Sequence, residues 1–143
     1  MNKLTPSPCE LCDSAGGDTL WQDEFCRVVL VGDHDYPGFC RVILNRHVSE
    51  MTDLDAATRQ RLMRVVFAAE QALRQLLRPE KINLASLGNM VAHLHWHVIP
   101  RFGDDKHFPG SVWGAAHRPG TPRPIDRADL QRTLHKLLQA VAE

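Results

Sequence analysis

The stretch "HLHWHVIP", residues 93–100, alternates histidines with apolar residues. A period of two marks a strand, because successive side chains leave a strand on opposite faces. His93, His95 and His97 therefore share one face. Leu94, Trp96 and Val98 share the other, which must be the core side. A face bearing three imidazoles in a row is no ordinary solvent face. Same-face neighbours stand about 6.5–7 Å apart. That spacing suits groups lined up along a phosphate chain. It suits three ligands of one tetrahedral ion less well, since zinc–nitrogen bonds are only about 2.0–2.1 Å long. From these residues alone three readings stay open. They are a half-exposed strand, a metal site using two of the three, and catalysis by a neutral imidazole acting as nucleophile or base.

The rest of the chain says what surrounds that strand. "FCRVVLV" (25–31) and "FCRVILN" (39–45) are rich in β-branched residues and read as an antiparallel pair across the polar turn "GDHDYPG" (32–38). "KINLASL" (81–87) reads as another strand. Residues 13–18 read as a loop. Leu62, Val65, Val66, Ala69, Leu73, Leu76 and Leu77 recur at spacings of three and four, which predicts an amphipathic helix over 53–78. Thr52 is expected to cap it, and Pro79 to stop it. Asp126 is expected to cap a last helix, 126–141, with Leu130, Leu134, Leu137 and Leu138 on one side. Pro100 is expected to end the histidine strand. The pattern predicts an α+β fold with an antiparallel sheet of about five strands and two main helices.

The 143 residues suit one domain. We expect it to run over 1–143, with an N-terminal segment at 1–19 and a long loop at 101–124. A net charge of zero advertises no surface for nucleic acid. No apolar run is long enough to span a membrane, and "MNKLTPSPCELC" lacks the core of a signal peptide. The expected location is the cytoplasm, where the four cysteines are reduced. Cys26 and Cys40, on strands, read as small core residues. Cys9-Glu10-Leu11-Cys12 is a lone CxxC: a redox pair, half a metal site, or neither. Without a second CxxC, a four-cysteine zinc ribbon is excluded, and a Cys₂His₂ site needs two histidines from elsewhere.

His93-Leu94-His95-Trp96-His97-Val98-Ile99 resembles the motif of the histidine triad (HIT) family. Gly88-Asn89-Met90-Val91 resembles the Gly-Gln-Ser/Thr-Val that precedes the triad, and Arg41–His47 resembles the family's hydrophobic–Pro-Lys-x-His strand. "HVIPRF" and the loop ending in Trp113 extend the likeness over residues 9 to 114. "FPGSVWG" is most similar to the bacterial branch described as diadenosine-tetraphosphate-hydrolase-like. Met90 departs from the pattern by lacking a hydroxyl, and Leu44-Asn45 stands for Pro-Lys.

The resemblance implies a homodimeric nucleotide hydrolase or nucleotidyl transferase acting on a purine nucleotide, with no catalytic metal. His95 would be the nucleophile toward the α-phosphorus. His97 and Asn89 would assist by binding phosphate oxygens or the leaving group. Asp33 would accept ribose hydroxyls, and Trp113 would reach toward a nucleotide site. The resemblance also implies a structural zinc ion held by Cys9, Cys12, His47 and His93. Each of the three histidines would then have its own task.

Overall fold

The computed structural model describes residues 8–142. Met1–Ser7, the start of the expected N-terminal segment, and Glu143 lie outside the described residues. Five strands form one antiparallel sheet: β1 (Asp18–Gln22), β2 (Cys26–Leu30), β3 (Cys40–Leu44), β4 (Lys81–Ala85) and β5 (His95–Arg101). Their order is β1-β2-β3-β5-β4. A short helix, α1 (Glu10–Asp13), precedes the sheet; α2 (Ala56–Leu77) and α3 (Arg127–Ala142) are the two main helices. This is the α+β arrangement expected.

The two faces of the sheet carry different chemistry. Val28, Val42, Leu44, Leu94 and Val98 point to one side and pack with Leu62, Val66, Leu73, Leu130 and Leu134 of the helices. Cys26 and Cys40 belong to this core, and burial pushes both thiols up to about 12. The alternate residues point the other way. Register pairs Arg27 with Ile43, Arg41 with His97, and Ile43 with His95. Directly opposed residues share a face, so both arginines lie on the histidine face, Arg41 beside His97 and Arg27 one strand further from His95. Among the described residues, no helix is long and apolar enough to cross a membrane.

Several boundaries differ from those expected. Met51–Asp53 forms a 3-10 turn, and the cap of α2 is Asp55, whose side chain accepts the Thr58 N–H, rather than Thr52. α2 ends on Arg78 in the left-handed region, because the residue before Pro79 is disfavoured in the α conformation. Asp126 does cap α3, accepting from Ala128 and Asp129. Pro100 does not end β5, which continues to Arg101. Beyond Val98 the strand has only β4 as a neighbour, so a residue without an N–H is tolerated there. β1 begins at Asp18, inside what reads as a loop, and escaped the strand pattern because Leu20 is its single buried residue.

Candidate functional site

His95 and His97 lie on β5, and His93 on the residue pair that leads into it. All three are buried, at 0%, 8% and 6% exposure for His93, His95 and His97. The face is therefore covered rather than half-exposed. Each ring has its own surroundings.

The His95 Nδ1–H donates to the His93 carbonyl at 2.6 Å. A carbonyl can only accept, so the proton is on Nδ1 and the lone pair is on Nε2. His95 borders an open cavity of about 280 Å³, whose wall includes Ser86, Leu87 and Gly88. The Ser86 hydroxyl fixes the backbone here by donating to the His95 carbonyl at 2.9 Å. The His97 ring stands edge-on to His95, with centroids 4.9 Å apart. Burial, with help from the neighbouring His95 and Arg41 charges, pushes His97 down to about 4. It is neutral at pH 7.

His93 carries the opposite tautomer. Its Nε2–H donates to the Leu44 carbonyl at 2.6 Å, which leaves the lone pair on Nδ1. That nitrogen lies 3.5 Å from Cys9 Sγ and 3.4 Å from Cys12 Sγ. His47 Nδ1 lies 3.5 Å from Cys12 Sγ. The ligand atoms of Cys9, Cys12, His47 and His93 all fall within 4.8 Å of one another. In a zinc tetrahedron, sulfur and nitrogen ligands stand about 3.5 Å apart. The cluster has that spacing and that donor set. The Leu44 carbonyl supplies the outer hydrogen bond that metal-binding histidines usually make. Burial also lowers the His93 pKa, keeping the imidazole neutral as a ligand must be.

Two segments cover this face. The first is residues 9–17. The Arg27 guanidinium donates to the carbonyls of Leu11, Ser14 and Ala15, and Arg41 Nη1 donates to that of Gly16. Leu11 packs on Val29 and Ile43. Gly16 lies in the left-handed region, which favours glycine, and a Cβ there would push on the tips of the Ile43 and Leu11 side chains.

The second cover is the long loop after β5. Asp105 accepts from Arg101, from Tyr36 Oη and from the backbone of Phe102, His107 and Phe108. Burial alone would raise its pKa, yet Arg101 and these N–H groups hold the carboxyl well below the usual range. The loop brings Trp113 edge-on to His97, 4.9 Å between centroids, with the Trp side chain half exposed. Neither Arg101 nor Asp105 stands out in the sequence, since nothing in a lone Arg and a lone Asp reveals that they are buried together.

Among the described residues, no hydrogen bond joins Asp33 or Asn89 to the triad rings. The Asp33 carboxylate accepts the Asp35 N–H within its own turn. Asn89 is exposed and its side chain makes no hydrogen bond to the described residues. Met90 is 97% exposed.

Residues 15–104 match the model of the HIT domain. The chain belongs to the HIT-domain family. A histidine triad protein from Marinobacter aquaeolei is 29% identical, with a TM-score of 0.71, over 94% of this chain and 96% of that one. One from Bradyrhizobium japonicum is 28% identical, with a TM-score of 0.65, over 85% and 90%. The AP-4-A phosphorylase of Mycobacterium tuberculosis is 32% identical over 85 residues, 55% of this chain and 44% of that protein. The chain thus spans less than half the length of the curated relative it matches.

Proposed function

We propose that this HIT protein is a nucleotide hydrolase or nucleotidyl transferase in which His95 is the nucleophile. The observation that carries this is the His95 Nδ1–H bond to the His93 carbonyl, which in the neutral imidazole leaves the lone pair on Nε2. Nε2 attacks the α-phosphorus of a nucleoside 5′-phosphate derivative. The nitrogen–phosphorus bond forms as the bond to the leaving group breaks, and the leaving group takes a proton from water. Water then cleaves the nucleotidyl-histidine and releases the nucleoside monophosphate. His97 binds phosphate oxygens, and Trp113, against the His97 ring, walls the nucleotide. Asn89, with its amide free, donates to the phosphate or the leaving group. Asp33 takes the ribose hydroxyls by leaving its local turn bond.

The substrate is a dinucleoside polyphosphate or a nucleoside phosphoramidate. The partial match to AP-4-A phosphorylase supports the former, as does the likeness to the diadenosine-tetraphosphate-hydrolase-like branch. Cys9, Cys12, His47 and His93 would hold a structural zinc ion, whose contribution is to cross-link the N-terminal segment to the triad. The protein would act as a homodimer, which sedimentation tests.

The decisive assay follows AMP release from diadenosine tetraphosphate and from an adenosine phosphoramidate. Turnover is expected in wild type, absent in His95→Ala, and retained after free metal is removed by brief EDTA treatment, with circular dichroism confirming the fold. Turnover by His95→Ala would sink the assignment. Met90 favours a second reading, a nucleotide-binding protein with weak catalysis, because it offers no hydroxyl to the leaving group. Nucleotide binding without turnover on either substrate would establish that reading instead.

A further inference from the structure

Arg41 stands on β3 directly opposite His97, on the triad face. Side chains so paired start about 4.5–5.5 Å apart at Cβ. Two features set this arginine apart. Among the described residues its side chain makes one hydrogen bond, Nη1 to the Gly16 carbonyl; Nε is buried and has no partner. Its charge also meets no carboxylate among the described residues. Arg101, on the same face of the adjacent strand β5, shows the alternative: its guanidinium donates to Asp105, Asn83 and the Gly110 carbonyl.

Holding the N-terminal segment does not account for Arg41. Arg27 already does so, through three carbonyls. His97 Nδ1, beside Arg41, is also buried without a partner. So two of the three buried, unpartnered side-chain atoms among the described residues lie side by side here; the third, Trp96 Nε1, belongs to a core-side residue. Arg41 is half-buried, but buried polar atoms such as its Nε are normally satisfied, and a partly desolvated cation gains from a counter-charge. Such an arrangement becomes favourable when an anion binds. A guanidinium offers a planar fork of donors that matches phosphate oxygens.

We propose that Arg41 is a substrate-contacting residue that binds the negative charge of the nucleotide's phosphate chain beside the phosphorus attacked by His95. The inference rests on the reading of His95 given above and adds a recognition element that the triad motif does not contain. In this reading the free protein keeps an uncompensated cation on the floor between its two covering segments, and the phosphates supply the counter-charge.

Calorimetric titration of wild type, Arg41→Gln and Arg41→Lys with AMP and with adenosine tests it. Arg41→Gln is expected to weaken AMP binding about 10- to 100-fold, the usual range for a lost hydrogen bond to a charged group. Adenosine binding should change less than about twofold, a difference near the limit of resolution. Arg41→Lys, which keeps the charge but not the fork, should fall between. Equal weakening of adenosine and AMP, or no weakening of either, overturns the proposal. Should Arg41→Gln fail to fold, the Nε–H resonance of Arg41 in wild type, assigned by its absence from Arg41→Lys, gives a second reading. It should shift with AMP and not with adenosine; an unmoved resonance under saturating AMP overturns the proposal. Wild type that binds neither ligand would instead overturn the nucleotide reading as a whole.

Discussion

The two segments that cover the triad face are held by opposite means. The loop after β5 carries its own counter-charges: Arg101 and Asp105, 2% and 4% exposed, neutralise each other and order the backbone around them. The N-terminal segment makes no ion pair among the described residues, although it carries Glu10 and Asp13. It is held by arginines that bind neutral carbonyls and by a Cys/His cluster whose donor set calls for an ion. One cover is complete within the chain, and the other has a donor set that a metal ion would complete. His95 and His97 lie on the strip of sheet between them. The difference teaches that a single face can combine a fixed wall with a conditional one.

The largest expected effect falls on the fixed wall. Asp105→Ala leaves Arg101 as a buried cation without its carboxylate, which costs about 3–5 kcal/mol. Urea unfolding measures the loss, and a change below ~1 kcal/mol would mean that the pair does not organise the loop.

Next comes the seam itself. Folding lowers the His97 pKa from 6.5 to about 4. Between those values the unfolded chain binds the proton that the folded chain refuses, so stability rises with pH there. The His97 contribution is unchanged above about pH 6.5 and falls as the pH drops toward 4, by about 3 kcal/mol in all. Wild type compared with His97→Gln across this range isolates it, since both share the cluster and the loop. Parallel stability curves would show that His97 titrates normally.

The conditional wall should respond least, and only to metal. At free zinc one hundred times its dissociation constant, binding adds about 2.7 kcal/mol. EDTA should remove that increment from wild type and have no effect on Cys12→Ser. Identical melting of both proteins with and without zinc would make the cluster an unmetallated one.

Local pattern carried a good deal of this. Alternation placed His95 and His97 on one face and Val98 in the core, and three-four spacing located α2 and α3. The likeness of two motifs to the HIT family gathered Cys9, Cys12, His47 and His93 into one set, and the fold places them together. The cap at Asp55 and the course of β1 were not legible, because a competing Thr52 and a single buried leucine gave a weak or misleading local signal.

What the sequence by itself determined is therefore which side of each element is apolar and which residues can do chemistry. Periodicity and residue type are local properties, and a strand or helix expresses them wherever it is placed. Only the tertiary structure decided how those residues are used. The His95 tautomer depends on the direction of the His93 carbonyl. The isolation of Arg41 depends on no carboxylate arriving beside it from another segment. The seat of Trp113 against His97 depends on a carboxylate eight residues earlier in the loop that meets Arg101 in the sheet. Each of these is a contact between groups that the chain keeps apart until it folds, and burial then gives it its strength by excluding the water that would otherwise compete.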